Sequence, residues 1–318
     1  MSLPGVVLGI DTSNYTTSLA LISTEGELIA NLKAPLPVKA GERGLRQSDA
    51  VFAHVKNIPG LMLEARGLLC GRSLVAVGVS ERPRNQDGSY MPCFLSGVAV
   101  AESVAATLGV PLYRFSHQCG HIMAALYSSG AGEIIGEEFG AFHVSGGTTE
   151  LLRVRRAEVG FSAELVGGTL DLNAGQVIDR IGVAMGLPFP AGPHLEREAS
   201  SFVGKLPKYR ISARGCEVNL SGFENIALNE YRKTGDVALT SALTLDLVGR
   251  SIMHMAVSYR EKYGDAAIVF AGGVMSNRQI REMLSGLACS YFAKPEMSSD
   301  NAVGIAALAR ESYLKENS

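Results

Sequence analysis

Two stretches of the chain share one hydropathic design. In V-V-L-G-I-D-T-S-N-Y-T-T-S-L-A-L-I-S, residues 6–23, two apolar, β-rich runs flank a turn of Asp, Ser, Thr and Asn, the pattern of a strand-turn-strand hairpin. G-A-F-H-V-S-G-G-T-T-E-L-L-R-V, residues 140–154, repeats it with a Ser/Gly/Thr turn. The recurrence predicts two similar lobes. Between the hairpins, helical spacing over 47–69 and 98–108 brackets a buried strand at 74–80, and the polar, Pro- and Gly-punctuated segment 80–92 reads as a loop. Further on, helices are predicted over 173–186 and 238–263. A buried strand over 266–273 ends in a double glycine, a helix follows from Ser276, and a last helix spans 300–314 with Ser299 or Asp300 as its cap. Strands alternating with helices make this an α/β protein. The first lobe is expected over 1–135, completed by 300–318, and the second over 136–299 with a helical insertion. Without a linker between them, the lobes are expected to pack closely around a cleft.

Composition sharpens this picture. The 318 residues, 47% of them hydrophobic, exceed one typical domain and can bury a sizeable core. Glycine is abundant, at 36 residues, and suits many tight strand-to-helix turns. The net charge of −2 lacks the basic excess of a dedicated nucleic-acid binder, so any RNA contact must come from a local patch or a partner protein. Cys70, Cys93, Cys119, Cys216 and Cys289 are odd in number and form no C-x-x-C pair, which argues against a zinc knuckle or redox couple and for reduced thiols. The N-terminus has no basic n-region and no apolar run is long enough to span a bilayer, so a cytoplasmic chain with no membrane partner is expected.

Three constellations could carry chemistry. Either turn alone, 11–18 or 145–149, is an ordinary hairpin turn. Together, and joined by the Gly272-Gly273 turn before a helix, they favour a nucleotide, because small residues, hydroxyls and approachable N–H groups suit phosphate oxygens. Asp179 lies inside an apolar helical pattern eight residues after Asp171. It must be paired, bind a ligand or face the cleft, and a capping Asp171 with Asp179 salt-bridged to Arg180 is an equal alternative. His117 and His121, four apart, share a helical face and can converge on one zinc or iron ion. An isolated pair would more simply be bonded to backbone. Asp300, at the start of the last helix, tilts the reading toward an open site of two imidazoles and one carboxylate, provided that helix packs back on the first lobe. Gln118 stands where H-E-x-x-H hydrolases need Glu, so the pair does not look proteolytic.

The motifs G-I-D-T-S, H-Q-C-G-H, V-S-G-G-T-T, A-G-Q-V-I-D-R, P-A-G-P, N-L-S-G-F, A-G-G-V-M-S-N-R and S-D-N-A run in order along the chain. Collinear, they resemble the tRNA threonylcarbamoyl-adenosine synthases, TsaD-type transferases once called O-sialoglycoprotein endopeptidases or glycoproteases. The resemblance implies the two-lobed ATPase fold of actin, hexokinase and the heat-shock chaperones, built from duplicated ribonuclease H-like lobes. It implies a divalent metal, iron or zinc, on His117, His121 and Asp300. It also implies ATP, AMP or a threonylcarbamoyl-adenylate held by His143, Val144, Ser145, Gly146, Gly147, Thr148, Asp179, Gly192 and Asn277, with Asp11 and Asp179 as candidate catalytic acids. The implied reaction passes a threonylcarbamoyl group from the adenylate to N6 of adenosine 37 in tRNA, with partner proteins, one of them a catalytically degenerate paralogue.

This chain departs from the family pattern at identifiable points. The family's E-T-S-C-D-E-T is D-T-S-N-Y-T-T here, so Asn14, Tyr15 and Thr16 replace a cysteine and two acids and Asp11 alone keeps an acid. Thr148 stands where the family has His, and Gln176 where it has Glu. The pattern marks a divergent branch. It leaves open a nucleotide-binding scaffold without catalysis, the old glycoprotease label, and a sugar kinase, which would need a catalytic Asp to deprotonate a hydroxyl.

Overall fold

A computed structural model describes residues 3–13, 15–37, 45–86, 88–298 and 301–318. The chain divides into two compact units, Met1–Tyr127 with Ala157–Ser162 and Ser299–Ser318, and Ser128–Arg156 with Ala163–Ser298.

The first unit begins with β1 (Val6–Thr12), β2 (Thr16–Ser23) and β3 (Leu28–Pro35), an antiparallel meander. It continues through α1 (Gln47–Leu68), β4 (Leu74–Arg82), α2 (Phe94–Leu108), β5 (Leu112–Ser116) and α3 (His117–Ser129). β4 and β5 run parallel to β1, giving the order β3-β2-β1-β4-β5. Every residue of β1 is buried, as a central strand covered on both faces requires. Alternation assigns the faces. Ile10 meets Gly97 of α2, and Gly9 lies against Ala302 and Ala306 of the C-terminal segment. The buried stripe of α1, Ala50, His54, Ile58, Leu61 and Ala65, has the three-to-four spacing of one helical face.

The second unit contains β6 (Phe139–Val144), β7 (Thr149–Arg156), β8 (Phe161–Thr169), α4 (Ala174–Ala184), α5 (Gly192–Ser200), β9 (Ser212–Arg214) and β10 (Glu217–Asn219). There follow α6 (Ser221–Thr234), α7 (Val237–Tyr263), β11 (Ile268–Ala271), α8 (Arg278–Leu284) and β12 (Ser290–Phe292). Its order, β12-β11-β6-β7-β8-β10-β9, contains the first sheet's pattern and adds two edge strands. The β6–β7 hairpin corresponds to β1–β2, and β11 and β12 join in parallel as β4 and β5 do. The pair of similar lobes expected from the two hairpins is therefore present. The core stacks Phe142 on Phe270 with centroids 5.0 Å apart, and buries Tyr259 completely beneath Gly140. Each of the two phenylalanines contributes roughly 1.5–3 kcal/mol by leaving water. α7 starts where the Asp236 side chain accepts from Leu239 N at 2.9 Å, satisfying one orphan donor of the first turn.

The last helix, α9 (Val303–Glu316), returns to the first unit and packs on β1 and β4. It starts three residues later than the 300–314 expected, with Asn301 Oδ1 accepting from Val303 N at 3.0 Å. Asp300 and Ser299 lie outside the described residues. The helix expected from Ser276 starts at Arg278, because a 3₁₀ turn over Gly273–Ser276 intervenes and Asn277 caps the helix. Among the described residues no helix is long and apolar enough to cross a membrane.

Candidate functional site

Histidines 117 and 121 open α3, directly after β5. His117 Nδ1 lies 2.8 Å from Asp11 Oδ1, and the two Nε2 atoms are 2.9 Å apart. A carboxylate oxygen accepts, so His117 donates from Nδ1, and a neutral ring then turns a bare Nε2 lone pair toward His121. Ligands about 2.0–2.1 Å from one zinc or iron ion stand roughly 3 Å from each other, so the paired Nε2 atoms fit a borderline divalent cation. Asp11 is fully buried at the end of β1, its Oδ1 also accepts from Ser80 Oγ, and its Oδ2 has no hydrogen-bond partner. The carboxylate-on-imidazole arrangement is the one that fixes tautomer and ring orientation in metal-binding histidines.

Between the two histidines, α9 crosses α3 at van der Waals contact. A Cβ on Gly304 would overlap the carbonyl oxygen of Gly120, and one on Gly120 would touch Ile305 Cδ1 at 3.0 Å. The C-terminal helix thus does pack back on the first unit beside the imidazole pair, four residues after Asp300. Among the described residues no group of three His, Cys, Asp or Glu forms a metal-ligand set, and Asp300 is not one of the described residues.

In the second unit, a pocket of about 300 Å³ is lined by Gly146, Gly175, Asp179, Gly192, Glu196 and Asn277, among others. Local chemistry builds it. The turn after β6 closes as Ser145 N donates to Thr148 O at 2.7 Å and Gly147 N to Ser145 Oγ at 3.3 Å. It is clamped to the start of α4: Gly175 N donates to Ser145 O, and Ala174 N to Thr149 Oγ1 at 2.9 Å. Gly175 is required here, since a Cβ would lie 2.7 Å from the Gly146 backbone. Gly175, Ile178 and Asp179 present one face of α4 to the pocket.

Two carboxylates there share one design. Asp179 Oδ1 accepts from Ala191 N at 2.7 Å, and Glu196 Oε1 from Arg278 N at 2.9 Å. One oxygen of each is fixed by backbone, leaving the other able to accept from a ligand hydroxyl.

Of the residues singled out from sequence, Gly146, Asp179, Gly192 and Asn277 meet at this pocket. Ser145, Gly147 and Thr148 form the turn that shapes it, and Val144 is buried behind them in β6. His143 lies on β6 opposite Glu150. Asp179 is not paired with Arg180, whose guanidinium bonds Glu224 at 3.2 Å. Asp171 is a structural cap. Burial opposes its charge, but the Ser221 hydroxyl and the Leu220, Leu172 and Ser221 N–H groups outweigh this and hold its carboxyl below the usual range. Gln176 Oε1 accepts from Asn173 N at 3.1 Å, so it closes the first turn of α4.

Sequence reasoning missed Glu196 and His54. Glu196 follows Gly192 by four, on the same face of α5, and that spacing was the available signal. His54 gave none beyond its place on the apolar stripe of α1. Fully buried, it joins Thr17 Oγ1 at Nδ1 and Ser13 O at Nε2, both at 2.8 Å, and so holds both sides of the first hairpin turn. Burial lowers its pKa below 6.5, against the raising effects of the Ser13 carbonyl and the Asp11 charge.

Known proteins match along the whole chain. Residues 51–307 match the family profile of TsaD, tRNA N6-adenosine threonylcarbamoyltransferase. A protein of that name from Polaromonas sp. (strain JS666) is 30% identical over 96% of this chain and 90% of its own length. One from Methanopyrus kandleri is 26% identical over 95% and 86%. Among solved structures, full-length HypF in its phosphate- and nucleotide-bound form superposes with a TM-score of 0.58 at 13% identity, covering all of this chain and 56% of HypF. HypF from T. kodakarensis gives 0.57 at 13% identity, over 99% of this chain and 48% of HypF. These likenesses give the fold, that of the actin- and hexokinase-like ATPases. The sequence match gives the family, and the chain belongs to the TsaD family of tRNA N6-adenosine threonylcarbamoyltransferases.

Proposed function

We propose that this protein transfers a threonylcarbamoyl group from its adenylate to N6 of adenosine in tRNA, in the cytoplasm and together with partner proteins, one of them a degenerate paralogue. The observation that carries this reading is the pocket of the second unit, where Gly146, Asp179, Gly192 and Asn277 converge with Glu196. A glycine-lined turn admits a phosphate close to backbone N–H groups. The open oxygens of Asp179 and Glu196 accept from the ribose hydroxyls, and Asn277 lines the same pocket.

In the transfer, the adenine amine attacks the carbamoyl carbon. The new C–N bond forms as the C–O bond to the adenylate phosphate breaks, AMP departs, and N6 gives up one proton. No protein nucleophile is needed. A divalent iron or zinc ion held by His117, His121 and Asp300 would supply Lewis acidity toward phosphate and carbamoyl oxygens. Asp11 acts through His117, fixing its tautomer so that the Nε2 lone pair, beside that of His121, would face the ion.

Mass spectrometry of tRNA nucleosides from cells depleted of this protein tests the reading. Loss of threonylcarbamoyl-adenosine is expected, and unchanged nucleoside content in cells with no second family member would overturn it.

A further inference from the structure

The segment K-L-P-K-Y-R-I-S-A-R, residues 205–214, follows the helix that carries Glu196 and ends in the edge strand β9. It holds four cations and no acid. The chain's net charge is −2, so this is a local excess against the background.

Its side chains alternate. Lys208, Arg210, Ser212 and Arg214 are exposed, whereas Tyr209, Ile211 and Ala213 are half-buried and pack on the second unit's core; Lys205 is exposed just before Leu206, which also packs there. Period two is that of an extended chain, so Lys208, Arg210 and Arg214 project from one side, successive alternate positions about 6.6 Å apart. The row is anchored from beneath. Tyr209 donates its hydroxyl to Glu230 at 3.0 Å, and its carbonyl accepts from Arg250 at 3.0 Å. Arg250 is itself held by Asp246 at 2.8 Å. Glu217 pairs with Arg214 across β9 and β10 as a Cα neighbour, but none of the four cations forms an ion pair with a carboxylate among the described residues. Lys208, Arg210 and Arg214 on one side of a segment that ends in β9, with Lys205 exposed just before them and none of the four paired with a carboxylate among the described residues, make a track for a polyanion whose charges repeat along a chain.

We infer that Lys205, Lys208, Arg210 and Arg214 form a contact surface for the phosphodiester backbone of the RNA acceptor. This rests on the reading that the acceptor is tRNA. The contact is to phosphates, so it sets affinity and position and leaves base identity to other groups.

Purified full-length protein titrated with total tRNA over a range of salt tests it. Each phosphate contact adds about 0.7–0.9 to the slope of log K against log salt, so K205Q/K208Q/R210Q/R214Q should lower the slope by about three, and each single variant by under one. A control, K56Q/R66Q on the exposed side of α1, should match wild type. Thermal melting checks that every variant is folded, and the single variants read the surface should the quadruple one unfold. Wild-type slope and affinity in the folded variants, or no salt-dependent tRNA binding by the wild type, would overturn the inference. The transferase reading is judged separately by nucleoside analysis, so a failed track beside lost modification leaves that reading standing, and persistent modification sinks it whatever the titration shows.

Discussion

His117 Nδ1 and Asp11 Oδ1 stand 2.8 Å apart although 106 positions separate them in sequence. β1 delivers the acid and the start of α3 delivers the imidazole. An amide in place of the carboxylate keeps an acceptor oxygen but makes a weaker orienting partner. Asp11→Asn should therefore retain its fold and bind zinc or iron about 10–100-fold more weakly, as read by competition against a chelator. His117→Ala should lose the ion outright. Wild-type metal affinity in Asp11→Asn would remove Asp11 from this role.

The first hairpin turn should respond to pH through His54. Its folded-state pKa lies below the ordinary 6.5 because burial penalises the cation. The unfolded chain takes up a proton as pH falls through 6.5 while the folded chain does not, so the stabilising contribution is full above 6.5 and declines as pH drops toward the folded value. His54→Gln should cost about 1–3 kcal/mol at neutral pH by leaving buried partners unsatisfied. It should also flatten the fall of Tm with acidification. Parallel Tm-versus-pH curves for wild type and variant would show that another group governs the slope.

Two neighbouring glycines should separate binding from folding. A Cβ on Gly146 meets no protein atom within 4 Å, whereas one on Gly175 would sit 2.7 Å from the Gly146 backbone. Gly146→Val should leave stability within about 0.5 kcal/mol. It should weaken AMP binding about tenfold or more by filling the ligand's approach. Gly175→Ala should cost about 1–3 kcal/mol by overpacking the turn against α4. Calorimetric titration and thermal melting read the two effects, and equal AMP affinity in wild type and Gly146→Val would place the ligand elsewhere.

Local patterns made much of this legible. The hairpins and the buried strand at 74–80 were readable because their periodicity is set by burial, and α1, α4, α7 and α9 fell within a few residues of their bounds. β3 was not read: most of its residues are only half-buried, so no clean alternation marks it. α5 was missed because it is short and opens with Gly-Pro. In the candidate site, glycine and small-residue turns announced the elements that line the pocket of the second unit. What sequence could not give was pairing across distance. Nothing local marks Asp11 as the partner of His117, or His54 as the clamp on Ser13 and Thr17, since both depend on which strand lies beside which helix.

Tyr15 and Thr16 mark the chain's main departure from its family's usual first loop, which carries two acids there. The backbone gives no reason for the change. Tyr15 O accepts from Leu36 N at 2.8 Å and Thr16 heads β2 opposite Pro35, contacts that any side chain permits. Tyr15 is 46% exposed, so Asp and Glu can replace the pair without disturbing the core. Two added carboxylates would oppose an anionic adenylate, by on the order of 1 kcal/mol each at most in water. They would also restore groups able to take the amine's proton, and such a function is worth about a hundredfold or more in rate. The second effect is the larger, so Tyr15→Asp with Thr16→Glu should raise transfer to tRNA while weakening adenylate binding slightly. The measurement is threonylcarbamoyl-adenosine content in a strain lacking its orthodox synthase subunit, with the usual partner proteins supplied. Weak rescue by the wild type and stronger rescue by the double variant are expected, and full rescue by the wild type would show that transfer proceeds without acids at these positions.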